Sequence, residues 1–378
     1  MENIVCIDNT DIDEGENKLL DNINPISREY VEKHNIKLSD WNDWKWQIKN
    51  SIVDNININD CENTNQNILK KRITPYYQSL VENNIELSKT TNFDPQELVI
   101  SKFESYDSLN EDLYKKTKCI VHKYEDRVLF LCTNFCSVNC RFCTRSRIFE
   151  DSTNPLESIS KKDIDDSINY ISNHLEIREV ILSGGDILTL SNDKIEYILK
   201  GIRELKHVQI IRIGTKSLVT LPQRIDNQLV SMLKRYSPLY ICGHFTHPSE
   251  ITTECKKACN LLVDNGLVLK SQTVLLKGVN DDISVMKELF YELLMIRVNP
   301  YYIFYPDYVV GSAHFRPTID IGLSIISELR KCSGFCVPTF IVDTVYGKIA
   351  VNPENILKNN KNFIELKSNN GDIVKIVK

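Results

Sequence analysis

From residue 127 onward, short apolar segments alternate with longer stretches in which apolar residues recur at helical spacing. The segments predicted as strands are 127–133, 179–183, 208–214, 239–245, 268–276 and 301–305. The predicted helices are 164–174, 193–205, 226–236, 253–265, 283–296 and 319–330. Strands that alternate with helices of this length are typical of parallel βαβ units. Six such units predict an α/β protein built on a partial (β/α)6, TIM-like barrel, whose chemistry lies at the C-terminal ends of the strands.

Shorter regions flank the predicted barrel on both sides. We expect residues 1–118 to form a mostly helical N-terminal extension, in which residues 41–47 have the spacing of an amphipathic helix that buries its Trp side chains. Residues 55–67 are rich in Asn, Asp and Glu and predict a loop. After the barrel, at 119–335, residues 336–378 predict a small β extension. Its expected strands are 337–342, 347–351, 363–367 and 372–377, with an Asn-Asn-Gly hairpin turn between the last two.

Composition excludes several classes of protein. A net charge of −5 gives the chain no basic footprint for nucleic acid. The first residues are acidic and polar, which is unlike a signal peptide, and no run of about 18 apolar residues predicts a membrane span. Twelve cysteines in a chain of 378 residues without an export signal indicate reduced thiols and a metal cluster rather than disulfides. We therefore expect a cytoplasmic enzyme.

Three cysteines follow the first predicted strand of the barrel. Cys136, Cys140 and Cys143 have the spacing C-x3-C-x2-C. Three thiolates can hold three irons of a cubic [4Fe–4S] cluster and leave the fourth iron open to a ligand. A structural zinc site with Cys132 as the fourth thiolate is the alternative, and it corresponds to a non-enzymatic metal-binding module. Zinc sites usually draw two cysteine pairs from separated places, whereas three thiols here lie together in one short segment, so the pattern favours the cluster.

The segment CSVNCRFCTRSR, residues 136–147, resembles the cluster loop of radical S-adenosylmethionine (SAM) enzymes. In particular, it is similar to that of the lysine 2,3-aminomutases, which add pyridoxal phosphate (PLP) to a [4Fe–4S] cluster and SAM. The resemblance extends over separate blocks from about residue 41 to about residue 353. It implies a radical SAM, PLP-dependent isomerase with those three cofactors. It also implies a one-electron reductant of the flavodoxin or ferredoxin type.

The resemblance implies a SAM site at the end of the second strand. Residues Ser183, Gly184, Gly185 and Asp186 resemble the motif that holds the amino group of SAM. Paired glycines let a backbone approach a ligand closely, and carbonyl and carboxylate oxygens accept hydrogen bonds from an ammonium group. Gln272 matches a family position that contacts the same ligand.

The resemblance also assigns a PLP site and a substrate site. Lys348 matches the lysine whose amine forms a Schiff base with PLP, although the family's preceding glycine run is about two residues shorter here. Arg127 matches an arginine that meets the PLP phosphate, and Lys123 stands where a second arginine is usual. The predicted substrate ligands are Asp307 and Asp343 for the ε-ammonium of lysine and Arg145 for its carboxylate. No role is predicted for Arg212, His244, His314 or Arg316.

Two departures identify a shorter form of the family. The best-known aminomutases have a cysteine-rich tail that shares a zinc with a cysteine after the segment GVND. This sequence ends before any such tail, and Asp282 follows that segment here. We therefore expect no structural zinc, and an oligomer is left open. The predicted reaction converts lysine to β-lysine. Arginine is the rival substrate, because its guanidinium suits paired carboxylates, and either amino migration or desaturation could follow.

Overall fold

The N-terminal extension consists of short helices and a two-stranded ladder. The computed structural model describes residues 23–54, 69–149 and 159–378, and the predicted loop at 55–67 lies outside them. The elements described here are α1 (Pro25–Lys33), α2 (Leu38–Trp41), α3 (Trp44–Lys49), β1 (Ile52–Asp54), β2 (Lys71–Ile73), α4 (Pro75–Glu82) and α5 (Ile85–Lys89). They are followed by irregular chain with 3₁₀ turns up to residue 119.

The predicted single helix over residues 41–47 is wrong. The chain leaves helical geometry after Trp41, and Asp43 begins a new helix by accepting a hydrogen bond from the Lys45 amide at 2.9 Å. Trp41 is fully buried, whereas Trp44 is partly exposed. The buried core around Trp41 includes Val138, which lies between Cys136 and Cys140. The extension therefore supports that segment, and burial of one such Val side chain stabilises the contact by about 1.5–3 kcal/mol.

A nine-stranded sheet forms the centre of the described part of the chain. Its strands lie side by side in sequence order: β3 (Ile120–Tyr124), β4 (Arg127–Thr133), β5 (Glu179–Gly184), β6 (Ile210–Thr215), β7 (Leu239–His244), β8 (Val268–Val274), β9 (Asn299–Phe304), β10 (Thr339–Thr344) and β11 (Gly347–Ala350). Strands β4 to β10 are parallel, and β3 and β11 are antiparallel edges. The six predicted barrel strands are confirmed, with small shifts at their ends.

The parallel sheet continues beyond the six predicted units. Strand β10, expected in the C-terminal extension, pairs in parallel with β9 and adds another barrel strand. The sheet is thus continuous across the predicted domain boundary at residue 335. Two hydrogen bonds link β3 to the opposite end of the sheet: Lys123 Nζ donates to the carbonyl of Thr344 in β10 at 2.6 Å, and the Lys348 amide in β11 donates to the Tyr124 hydroxyl at 3.0 Å. These contacts bring β3 and β11 together and enclose the interior of the sheet.

Helices cover the outer face of the sheet, as the βαβ pattern predicts. They are α6 (Lys161–Ser172), α7 (Asn192–Glu204), α8 (Ser217–Thr220), α9 (Asn227–Lys234), α10 (Thr253–Asp264), α11 (Ile283–Met295) and α12 (Ile319–Leu329). Helix α7 is representative, because its buried residues Ile195, Ile198, Leu199 and Ile202 recur at helical spacing and face the core. Within the described ranges, no helix is both long enough and apolar enough to span a bilayer.

The last part of the chain forms a separate three-stranded sheet. Its strands are β12 (Ile356–Asn359), β13 (Phe363–Lys367) and β14 (Ile373–Val377), and neighbouring strands are antiparallel. The predicted hairpin between the last two strands is confirmed. Its turn places Gly371 at a φ of +94°, where a side chain would be strained, which explains the glycine.

Candidate active site

The interior of the barrel holds a cavity of about 580 Å³, large enough for a bound cofactor and a small substrate. Strands of the sheet, the three-cysteine segment and the N-terminal extension all contribute to its wall. Eight residues predicted from the sequence line this cavity: Lys123, Arg127, Arg145, Ser183, Gln272, Asp307, Asp343 and Lys348. Residues far apart in the chain therefore converge on one space, as the barrel topology requires.

The cysteine loop, residues 136–143, leaves the C-terminal end of β4. The pKa of the Cys136 thiol is raised well above its ordinary value by burial, by Asp186 and by the nearby thiols of Cys143 and Cys140. The three thiols are therefore close neighbours. Backbone hydrogen bonds tie the loop to the N-terminal extension, from the Asn139 amide to the Arg72 carbonyl at 3.0 Å and from the Arg141 amide to the Thr90 carbonyl at 2.9 Å.

Cys132 does not join the cysteine loop. Its side chain is buried in the apolar core of the barrel, where the thiol donates to the Phe130 carbonyl at 3.4 Å. Burial raises its pKa, and the nearest thiol that adds to this effect is Cys119. The geometry therefore gives no support to a zinc site that uses Cys132 as the fourth thiolate. Within the described ranges, no three His, Cys, Asp or Glu side chains are arranged around a single metal ion.

The paired glycines lie against the start of the cysteine loop. A Cβ on Gly184 would stand 2.4 Å from the Thr133 carbonyl oxygen, and one on Gly185 would stand 2.2 Å from the Phe135 carbonyl oxygen. The Gly185 amide also donates to the Thr133 carbonyl at 2.6 Å. Only glycine fits this contact between backbones, so both residues hold the loop against the end of β5. Their predicted contact with SAM stays a prediction.

The carboxylate of Asp186 is buried and has protein partners. It accepts hydrogen bonds from the Thr215 hydroxyl at 2.8 Å, the Lys216 amide at 2.9 Å and the Ser217 amide at 3.0 Å. The Leu188 amide also donates to it at 3.0 Å. These bonds join the ends of β5 and β6. Asp186 and both glycines do not line the cavity, whereas Ser183 and Gln272 do, and the SAM role of all five stays a prediction.

Two carboxylates and one amine meet on the far side of the cavity. Antiparallel pairing of β10 and β11 sets Asp343 opposite Lys348, and the two side chains form an ion pair. Burial lowers the pKa of Lys348, but Asp343, Tyr124 and Asp307 together outweigh this effect, and the pKa is raised overall. Burial and the neighbouring Asp343 raise the pKa of Asp307 to about 7, although a hydrogen bond from Thr144 opposes the rise.

Arg127 and Lys123 form a cationic part of the wall on β3 and β4. The guanidinium of Arg127 lies over the ring of Tyr124, 4.4 Å from its centroid, and its Nε is 3.5 Å from an oxygen of Asp126. Lys123 Nζ donates to the carbonyls of Thr344 and Leu109. Burial lowers the pKa of Lys123. The long ion pair of Arg127 leaves guanidinium donors for an anion in the cavity.

Arg145 follows the cysteine loop and is held by an acid that the sequence analysis missed. Its Nε donates to the Glu111 carboxylate at 3.0 and 3.1 Å, and its Nη2 donates at 2.6 Å. Glu111 comes from the N-terminal extension and is almost fully buried. Burial alone lowers the pKa of Arg145, but Glu111, with smaller effects from Cys143 and Asp343, outweighs it and raises the pKa overall.

Comparison with known proteins identifies the family of this chain. Residues 130–289 match the radical SAM superfamily. The chain is 44% identical over 358 residues to the L-lysine 2,3-aminomutase of Acetoanaerobium sticklandii, covering 89% of this chain and 85% of the relative. It is 41% identical over 370 residues to that of Clostridium subterminale, covering 92% and 87%. The glutamate 2,3-aminomutase of Clostridioides difficile is 38% identical over 354 residues, covering 89% and 83%.

The chain belongs to the lysine 2,3-aminomutase family of radical SAM enzymes. The resemblance predicted from the sequence is thereby confirmed, and the alternative of a non-enzymatic metal-binding module is wrong. The family's enzymes are isomerases that use a [4Fe–4S] cluster, SAM and PLP.

The residues present fit the cofactors of this aminomutase family. Three neighbouring thiols at the end of β4 match a cluster with one open iron. Burial raises the pKa of each of these thiols, and the positive charge of bound iron would favour their thiolate forms. The cavity presents an amine at Lys348 and a cation at Arg127, which suit the aldehyde and the phosphate of PLP.

Several other residues of the cavity wall were missed or left without a role in the sequence analysis, and four of them carry the argument here. They are Glu111, Tyr124, Arg212 and His244. Arg212 forms an ion pair with Glu179 and donates to the Tyr301 hydroxyl at 3.2 Å. Burial, together with two neighbouring cations, lowers the pKa of His244 to about 4, so its imidazole is neutral at pH 7. For Arg212 and His244, the signal available in the sequence was a titratable residue inside an otherwise apolar barrel strand, which indicates a functional site.

The remaining two residues without a predicted role lie away from the cavity wall. Arg316 forms a buried ion pair with Glu104. His314 packs against Phe315 with ring centroids 4.0 Å apart. The ion pair of Arg316 joins the loop after β9 to the N-terminal extension.

Proposed function

We propose that this chain is a lysine 2,3-aminomutase, which moves the α-amino group of L-lysine to C3 and releases β-lysine. The observation that carries the proposal is the pair of carboxylates at Asp307 and Asp343. They are close enough inside the cavity for one to raise the pKa of the other. Two acids that repel each other inside a cavity favour a cationic ligand, because a cation relieves both their repulsion and their desolvation.

The charges of the wall match the two ends of lysine. Asp307 and Asp343 would hold the ε-ammonium group, and Arg145 would hold the α-carboxylate. An enzyme specific for glutamate would need a cation or neutral donor where these acids stand. The two lysine 2,3-aminomutases described above are 44% and 41% identical to this chain, against 38% for the glutamate 2,3-aminomutase.

The chain's own residues hold the cofactors and shield the reaction. Cys136, Cys140 and Cys143 would bind the cluster, and the backbone of residues 183–186 with Gln272 would bind SAM. Lys348 would carry PLP through its amine, while Arg127 and Lys123 bind the phosphate. When bound, the reduced cluster and SAM supply a carbon radical that removes a substrate hydrogen, and PLP supplies the aldehyde that carries the migrating nitrogen. The enclosed barrel keeps water from such reactive species.

The proposal also covers the electron donor, the cellular location and the oligomeric state of the enzyme. The cluster needs one electron per activation, for which a small redox protein of the flavodoxin or ferredoxin type is the proposed donor. Reduced cysteines are maintained in the cytoplasm, which is the proposed location. Lysine is the proposed substrate, and assembly into an oligomer is compatible with the same site.

A substrate panel tests the proposal. The reconstituted, reduced enzyme is incubated with SAM and separately with lysine, arginine, ornithine and glutamate, and the products are resolved by chromatography and mass. We expect lysine to give a product of unchanged mass and shifted retention. A product from arginine that is two mass units lighter would replace the proposal with a desaturase. Turnover of glutamate in preference to lysine would contradict the role of the two aspartates.

A further inference from the structure

The carboxylate of Glu111 occupies one edge of the Arg145 guanidinium. Its two oxygens accept from Nε and Nη2, at 2.6 to 3.1 Å. An arginine has five N–H donors in a planar fork. Contact along the Nε and Nη2 edge leaves the Nη1 and Nη2 edge for a second carboxylate in the bidentate geometry that arginine favours. Because Arg145 lines the cavity, an amino acid there can reach this second edge.

Glu111 is itself held firmly. Its side chain is 8% exposed, and its amide donates to the Asp107 carboxylate at 2.9 Å. The same Asp107 lies 3.2 Å from the guanidinium of Arg147, two residues after Arg145. Two acids of the N-terminal extension, Glu111 and Asp107, thus form ion pairs with two arginines that follow the cysteine loop. The orientation of Arg145 is set from outside the barrel.

We propose that Glu111 is a positioning residue for the substrate carboxylate. It fixes the guanidinium plane of Arg145 and compensates its charge in the ligand-free enzyme, so that the free edge faces the cavity. Without Glu111, the guanidinium would keep its charge but lose its fixed orientation, and a carboxylate would have to order it on binding. The inference rests on the proposed function, because it assumes that Arg145 binds the α-carboxylate.

Two competitive inhibitors separate the two ends of the substrate. Norleucine has the α-carboxylate of lysine but no ε-ammonium, and cadaverine has two ammonium groups but no carboxylate. Their inhibition constants are measured on the reconstituted enzyme and on its Glu111→Gln variant. We expect Glu111→Gln to weaken norleucine and raise the KM for lysine by about tenfold or more, which is the scale for a misplaced charge-assisted hydrogen bond. Cadaverine should bind as before, and Glu111→Asp should recover part of the loss.

The pair formed by Glu97 and Arg141 offers a matched control. It is another buried Glu–Arg ion pair between the N-terminal extension and the cysteine loop, and neither residue lines the cavity. Glu97→Gln removes the same charge. It should leave the ratio of the norleucine and cadaverine constants unchanged, even where it lowers iron content. An equal change of that ratio in both variants would mean that Glu111 acts only through the fold, and would overturn the inference.

Failure of this inference is distinguishable from failure of the proposed function. Arg145→Lys keeps the charge but removes the fork. If Arg145→Lys weakens norleucine while Glu111→Gln does not, the positioning role of Glu111 is wrong and the substrate site stands. If Arg145→Lys leaves norleucine and lysine unaffected, the assignment of Arg145 to the substrate carboxylate is wrong, and the inference about Glu111 falls with it.

Discussion

Replacing Asp307 by Asn should stabilise the ligand-free protein while abolishing its activity. Asp307 lies in the cavity beside Asp343, and burial with that neighbouring acid raises its pKa from 3.8 to about 7. A carboxyl group that is harder to ionise in the folded than in the unfolded protein lowers the free energy of unfolding wherever the unfolded chain ionises it. The site would then hold a destabilising charge that Lys348, Arg145 and Thr144 offset only in part and that a substrate cation would relieve further.

The pH dependence follows from the sign of this change. Below pH 4 the group is protonated in both states and costs nothing. Between pH 4 and pH 7 the unfolded chain loses the proton first, and the penalty grows to a plateau. The rise from 3.8 to about 7 corresponds to at most about 4 kcal/mol at that plateau, and water entering the cavity reduces it.

Denaturant unfolding at several pH values measures the effect. Asp307→Asn should exceed the unmodified protein in free energy of unfolding by about 2–4 kcal/mol at pH 8, and the difference should shrink toward pH 5. Asp282→Asn is the control, because hydrogen bonds from Ser284 lower the pKa of this exposed helix-capping acid. Asp282 stabilises the fold above its pKa, so the control should show no gain at pH 8. A neutral or destabilising Asp307→Asn, or a gain independent of pH, would refute the reasoning.

Three other experiments test the cofactor sites. Alanine at any of the three cysteines of the cysteine loop should abolish the iron chromophore, whereas Cys132→Ala should retain it. Metal analysis after anaerobic reconstitution measures this, and it should show iron and essentially no zinc. Borohydride reduction of the PLP-loaded enzyme should place the pyridoxyl mass on Lys348, and a label on Lys216 or Lys277 would contradict the assignment. Gly185→Ala should cost about 1–3 kcal/mol or more and lower iron content, because its Cβ would stand 2.2 Å from a carbonyl oxygen. Unchanged stability and iron in that variant would show that the glycine is not needed for packing.

The sequence predicted the barrel well because each βα unit carries its own local signal. Buried strands appear as short apolar runs, and α7 shows its buried face directly in the spacing of its isoleucines. The position of β10 was harder to predict, since pairing with β9 depends on a long crossover through α12. The break after Trp41 had a local signal in Asp43, a strong helix N-cap, which the regular spacing of the Trp residues concealed.

The site was predictable where a motif marks it, and less so elsewhere. Asp307 and Asp343 could be named from their motifs, but their mutual effect on pKa arises only when β9 and β10 lie side by side. Glu111 lies in an irregular segment without periodicity, and its contact with Arg145 joins residues 34 positions apart. In β6, fully buried residues alternate with partly exposed ones that include Arg212, but isoleucines stand on both faces of the strand, so the sequence does not show which face meets the cavity.

Migration of nitrogen within the substrate is the central claim, and isotopic labelling tests it most directly. L-Lysine carrying ¹⁵N at C2 is incubated with the reduced, reconstituted enzyme and SAM, and the product is examined by NMR through the one-bond coupling between nitrogen and carbon. The account predicts β-lysine with ¹⁵N bonded to C3, and no label released as ammonia. Label that stays on C2 of an altered product, or that appears as free ammonia, would contradict an aminomutase.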